Sequence, residues 1–480
     1  MKHLRRIRVP MILGGAILAV ACTSSGPSAA PPAAPAARRG TLGIEAVSIS
    51  RAKRRSLSLP ENVRGALVVE VVAGGPGALA GIRPGDVVER IGGTPIGNVC
   101  DFDAAADERP IETVSLVVRR AGKSIEASVV PVGGKSFFEE ACRLGSPGGC
   151  YRAAREAEAG ERRLALLESA CRLGSAAACA DAGIALARSG NRPQDAVATL
   201  ERACALGSGA GCAHEAFLHA TGTVVSRDDR RATELYVRGC DLGDAKSCYN
   251  AGVMSDDGRG TPKNPKTAAA RYEEACEGGS PAACTNLGFL YENGRGVARD
   301  KTRAVAFYQR GCDGTRCQPP NRTGCVNVGR AYRDGIGVAK DPPRAEAIFR
   351  EACDRPVDSG DVGAEANRWR ACSLLGAMYL GTDDAKGREL SERGCEGGDA
   401  FGCFNAAAIY AAGSGVEANP ATAASFLERA CRAGDGEGCF DLGVAYEKGD
   451  GVSADREKAA EAFKKACILG FPKACGRKVR

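Results

Sequence analysis

The chain has 480 residues, 44% hydrophobic and 26% charged, a composition that excludes a wholly disordered chain and a protein that lives inside a bilayer. Its 65 basic and 58 acidic side chains leave a formal charge of +7. Four of the cations lie in the first eight residues and the rest are spread evenly, so nucleic acid is not the implied partner. The 23 cysteines exclude an ordinary reduced cytosolic protein without a metal role and point to an oxidising compartment.

The chain opens with Lys2, Arg5, Arg6 and Arg8, followed by an apolar run from Met11 to Val20, which is the layout of a secretory signal over residues 1–21. Ten such residues span about half a bilayer, too little for a permanent transmembrane helix. The run ends Leu18-Ala19-Val20-Ala21-Cys22 and resembles the bacterial lipobox, except that Ala19 stands where Leu is commonest. The resemblance implies acylation of Cys22 and a membrane partner through the lipid. Thr23 rather than Asp follows, which by the same resemblance implies an outer-membrane lipoprotein facing the periplasm. Ordinary cleavage, with Cys22 left as a thiol, is the alternative. Residues 22–39 are mostly Ser, Pro and Ala; they cannot bury a core and read as a disordered tether, roughly 50 Å long when extended.

From residue 40 to 133 the apolar period is two, and the chain reads as a small β-rich domain. Gly65–Val72, Thr113–Arg119 and Ser124–Val130 are predicted strands, with a turn at Gly74-Gly75-Pro76-Gly77. The string Gly77-Ala-Leu-Ala-Gly-Ile-Arg-Pro-Gly-Asp86-Val-Val-Glu-Arg-Ile-Gly-Gly93 resembles the PDZ signature of HtrA-type and carboxy-terminal processing proteases. The resemblance implies a peptide site at Leu42-Gly43-Ile44, where backbone N–H groups converge on a terminal carboxylate. It also implies that the strand Ile44–Ser48 pairs with the peptide, and that a helix near Asp101–Asp107 forms the other wall with Phe102, Ala105 and Ala106 inward. The other reading is a PDZ fold used only for packing, its groove closed. The mature chain has two histidines, His214 and His219, both far from this domain, so it offers no Ser-His-Asp set.

Residues 136–480 are organised by cysteines. Cys142/Cys150, Cys171/Cys179, Cys204/Cys212, Cys240/Cys248, Cys276/Cys284, Cys395/Cys403, Cys431/Cys439 and Cys467/Cys475 are each eight apart. Cys312/Cys325 and Cys353/Cys372 keep the context but carry insertions. In one unit, Cys284–Gly294 is a predicted helix, Gly294-Arg-Gly296-Val a turn, Asp300 an N-cap, and Thr302–Cys312 a second helix with Ala304, Phe307 and Tyr308 inward. Each helix pair leaves a face that only stacking can bury, so the array is an all-α solenoid. One cysteine ends a unit's second helix and the next begins the following unit's first, so a disulfide closes a nine-residue ring, contributing roughly 2.5 kcal/mol. Zinc is the rival, but seven intervening residues and two histidines do not suit its ligand spacing, and no metal or cofactor is expected. The Leu-Gly-x-x-Tyr, Gly-x-Gly-Val and Ala-x-x-x-(Tyr/Phe) positions resemble those of secreted, cysteine-rich Sel-like repeat proteins, relatives of tetratricopeptide repeats. The resemblance implies a concave surface that binds peptide or protein. The units at Cys150–Cys171 and Cys372–Cys395 are short, and irregular packing is expected there.

Cys100 and Cys317 fall outside the pattern; either both are free thiols, or Cys317 competes with Cys312 for Cys325. Ser50-Arg-Ala-Lys53 matches the Ser-x-x-Lys of penicillin-interacting enzymes but lies where a strand is expected, with no Ser-Asp-Asn or Lys-Thr-Gly after it. The reading is therefore a non-enzymatic scaffold of the cell envelope. The alternative is a weak β-lactamase-like or penicillin-binding activity of the cysteine-rich repeats.

Overall fold

A computed structural model describes residues 42–49, 51–60, 63–72, 74–107, 113–131, 135–315, 318–357 and 362–477. The expected signal, Cys22, the tether, Ser50 and Cys317 lie outside the described residues. The chain divides at Gly324 into two compact units, one holding the β-domain and the first helices, the other running from Cys325.

The β-domain is an antiparallel sheet in the order β1 (Ile44–Ser48), β2 (Ala66–Val71), β3 (Val87–Ile91), β5 (Val114–Arg120), β6 (Lys123–Val129), with β4 (Thr94–Pro95) paired to β3. Its core is built from the inward set of each strand, including Ile44, Val68, Val88, Leu116, Val118 and Val129. Three short helices complete it: α1 (Arg51–Ser56), α2 (Pro76–Leu79) and α3 (Val99–Asp107). The Gly-Asp of the signature has a structural job. Asp86, 1% exposed, accepts from the Arg83 N–H at 2.9 Å and takes Arg120 through Nε and Nη2, both at 2.7 Å. This pins the turn before β3 to the end of β5, and a buried carboxylate without that guanidinium would be costly.

Two expectations change here. Residues 51–53, expected on a strand, lie in the helix α1, so Lys53 is helical. The run Arg-Ala-Lys-Arg-Arg-Ser has no alternating apolar face to lay on a sheet, and Arg54 instead ties the following loop by donating to the Pro60 and Val63 carbonyls at 3.1 and 2.6 Å. The helix α3 begins at Val99, before the expected Asp101, because Asn98 caps it: its Oδ1 accepts from the Asp101 N–H, and Asp101 reaches back to the Gly97 N–H.

In the first unit the repeats comprise α4 (Lys135–Arg143), α5 (Pro147–Glu156), α6 (Glu161–Arg172), α7 (Ala176–Ser189), α8 (Pro193–Ala205), α9 (Gly209–Thr221), α10 (Asp229–Asp241), α11 (Ala245–Asp257), α12 (Pro265–Glu277), α13 (Pro281–Asn293) and α14 (Lys301–Asp313). The second unit carries α15 (Arg322–Asp334, beginning at the division), α16 (Pro342–Asp354), α17 (Val362–Tyr379), α18 (Asp384–Glu396), α19 (Ala400–Ala412), α20 (Pro420–Arg432), α21 (Gly436–Lys448) and α22 (Arg456–Ile468). Capping residues set these ends. Ser208, Asp244 and Ser280 start first helices of units and Asp228, Asn264 and Asp300 start second helices, each side chain accepting a backbone N–H three residues on.

Packing within a unit depends on close approach. A Cβ at Gly288 would lie 2.7 Å from the Tyr308 ring and 2.9 Å from the Ala304 carbonyl, so α13 and α14 meet there backbone to side chain. Gly296 (φ +71°) abuts the preceding unit, where a Cβ would come within 2.3 Å of the Pro265 backbone, which explains the second glycine of Gly-x-Gly. Ala304 and Tyr308 are buried as expected, while Phe307 is half-buried and stacks on Tyr291. Guanidinium groups add ties between units: Arg238 donates to the Cys204 carbonyl and Arg310 to the Cys276 carbonyl, both at 3.1 Å.

Among the described residues the disulfides Cys142–Cys150, Cys171–Cys179, Cys204–Cys212, Cys240–Cys248, Cys276–Cys284, Cys353–Cys372, Cys395–Cys403, Cys431–Cys439 and Cys467–Cys475 are formed, and Cys312 and Cys325 are disulfide-bonded too. Among the described residues no helix is long and apolar enough to cross a membrane.

Candidate peptide-binding edge

Among the described residues, β1 lies at the end of the sheet and pairs with β2 alone. Before it, Gly43 adopts φ +63°, a left-handed conformation that strains any residue with a Cβ. The Leu42 carbonyl accepts from the Gly77 N–H and the Gly43 carbonyl from the Val72 N–H, both at 2.9 Å, so the entry to β1 is clamped on α2 and the end of β2. Consecutive strand carbonyls point to opposite sides. With Gly43 facing β2, the Ile44 carbonyl faces outward.

The structure brings four of the six predicted site residues together. Leu42, Ile44, Phe102 and Ala105 share one apolar cluster and are 2%, 1%, 2% and 3% exposed; Ala106 packs on its rim. The lining is shut off from solvent in this conformation. Gly43 contributes backbone rather than a wall.

Sequence reasoning missed the residues outside the cluster. Arg152 on α5 donates through Nη2 to the Ile44 carbonyl at 2.5 Å. Glu45 on β1 stands opposite Glu70 on β2, and burial pushes Glu45 up to about 7, with Glu70 and Asp181 adding to the shift against Arg152 and Arg155. Burial also raises Glu70, opposed by Arg152 and by the Gly148 backbone N–H that it accepts. Glu45 and Glu70 at outward positions of β1 and β2 read as an ordinary solvent-facing pair, so no local signal marked this face as covered.

The β-domain meets the repeats again around a shallow cavity, where Arg54, Arg64 and Asn98 face Cys248, Glu274 and Glu277. Glu274 stands where neighbouring units place Arg202, Arg238 and Arg310, and its Oε2 lies 3.0 Å from Cys240 Sγ. Cys240, Cys248 and Glu274 are close enough to hold a metal, but the two sulfurs are bonded to each other and offer it no thiolate. His214 donates its Nδ1–H within its own helix, to the Ala210 carbonyl at 2.8 Å.

The family described as PDZ domain matches residues 67–120, and the Sel1 repeat family matches residues 211–244, 245–280, 281–315, 323–356, 400–435 and 436–471. The chain carries a PDZ domain and six Sel1 repeats. Among curated proteins it is similar to "Serine protease HTRA1" of Xenopus tropicalis, 36% identical over 95 residues, 19% of this chain and 20% of that protein. It is likewise similar to "Probable periplasmic serine endoprotease DegP-like" of Rhizobium meliloti, 41% identical over 87 residues, 18% of this chain and 17% of that protein. The chain therefore spans about a fifth of the relatives it matches, their PDZ portion and not the protease domain. A solved protective antigen of uropathogenic Escherichia coli with an SLR fold covers 72% of this chain, and 81% of itself, at TM-score 0.50 and 19% identity, which shows the repeat fold. Disulfides at the repeat junctions belong to an oxidising compartment, so the chain is an extracytoplasmic protein, and its PDZ and Sel1 modules serve protein–protein interaction in general.

Proposed function

We propose that the chain is a non-catalytic scaffold of the cell envelope, tethered to the outer membrane through acylated Cys22 and facing the periplasm. It takes the free C-terminus of a protein along β1, and a second protein surface on the Sel1 repeats. The observation that carries this reading is the left-handed Gly43 at the mouth of an edge strand, followed by an outward carbonyl at Ile44. An edge strand offers main-chain groups to an added strand, and Leu42, Ile44 and Phe102 supply an apolar seat for the terminal side chain.

The test compares peptides with free and amidated C-termini on the full-length protein. The free acid should bind and the amide should lose on the order of 1.5–3 kcal/mol per charge-assisted bond. Equal affinity would return this domain to a packing role.

A further inference from the structure

The outward carbonyl at the head of β1 is already taken. Arg152, 108 residues further on, holds it from the first repeat. Ile44 is the first residue of β1, and its carbonyl is the acceptor that an added strand needs for its last N–H. Other contacts set the guanidinium there. One turn earlier on α5, Gly148 comes so close to β2 that a Cβ would lie 2.7 Å from Glu70 Oε1 and 3.1 Å from Val72 Cγ2. The Gly148 N–H donates to the Glu70 carboxylate, so the start of α5 is seated on the sheet. Glu45 and Glu70 then present two acidic groups to Arg152.

We infer that α5 is a latch on the PDZ edge: while it is docked, Arg152 occupies the Ile44 carbonyl, and a peptide pairs with β1 only after the first repeat has left the sheet. This rests on the peptide-binding reading above. It makes peptide capture and domain docking mutually exclusive, so each opposes the other by the same factor. The burial of Leu42, Ile44 and Phe102 has a separate source, because the cluster they share is made of residues of the β-domain itself.

The test uses the full-length, oxidised protein and a fluorescein-labelled decapeptide ending Ala-Val-Val, as free acid and as amide. Arg152→Ala should bind the free acid roughly tenfold or more tightly than the parent, the effect of removing one hydrogen bond from a charged donor. Arg152→Lys, which keeps a cationic donor, should stay near the parent. Gly148→Leu keeps Arg152 but wedges α5 off β2, and should tighten binding as well. Carboxylate-dependent binding that is equal in parent and Arg152→Ala overturns the latch and leaves the peptide reading intact. Weaker binding in Arg152→Ala would make Arg152 a ligand contact, and overturns the latch too. Failure of every variant to distinguish acid from amide removes the peptide reading, and the latch with it.

Discussion

Glu45 and Glu70 stand opposite each other on neighbouring strands, where two ionised carboxylates would repel. Burial is the larger effect on Glu45 and lifts it to about 7 from an ordinary 4.5, while Arg152 and Arg155 pull it down and Glu70 and Asp181 push it up. A carboxyl raised in the folded state binds its proton more tightly there than when unfolded, so folding gains from protonation. That gain is complete below about 4.5 and is lost as pH rises through about 7. Thermal unfolding should therefore show stability falling between pH 5 and 7.5, and Glu45→Gln should remove part of the fall, being more stable than the parent at pH 7.5 by on the order of 1 kcal/mol. Parallel pH profiles for the two proteins would count against a strained carboxyl. At this scale Leu42-Gly43-Ile44 came from the PDZ resemblance, which set the glycine ahead of the strand that is β1; its peptide role is the proposal made above. Arg152 was not legible. It is one arginine among many on a helix whose spacing shows only an inward face, and its partner is a main-chain atom in another domain.

Elements were legible where the cause is local. The strands fell within a residue of their expected ends, and each helix pair followed its cysteines. Ends moved where a cap decided them: α13 starts at Pro281 rather than Cys284 because Ser280 accepts from the Ala283 N–H. The shortened unit after Cys150 has a ten-residue first helix that ends at Glu156, with no Gly-x-Gly turn to extend it. The glycine against the aromatic ring is the most exacting contact of the repeat, recurring at Gly252 with Tyr272 and Gly443 with Phe463. Gly288→Ala should gain helix propensity of about 1 kcal/mol yet lose more to overpacking, for a net loss of roughly 1–2 kcal/mol by chemical denaturation. A stabilised variant would mean that Tyr308 can move aside, and that the close approach of α13 and α14 is not a constraint.

For the whole molecule, attachment and internal staples are separable. Cys22→Ala should move the protein from the membrane fraction to the soluble periplasm, since a single acylation site carries the proposed anchor. An unchanged membrane fraction in that variant would sink the lipoprotein assignment. The staples bear on something else, the order in which the chain oxidises. Most partners are eight residues apart, and a loop of about ten residues closes in roughly 10–100 ns, far faster than distant cysteines meet. Each cysteine of these eight-residue pairs therefore encounters its native partner first, and a chain emerging from its N-terminus presents the pairs one after another. Twenty cysteines then need little reshuffling to reach one arrangement. Cys312 and Cys325 are the exception, because Cys317 lies between them and only eight residues from Cys325, and they are where a disulfide isomerase would have most to correct.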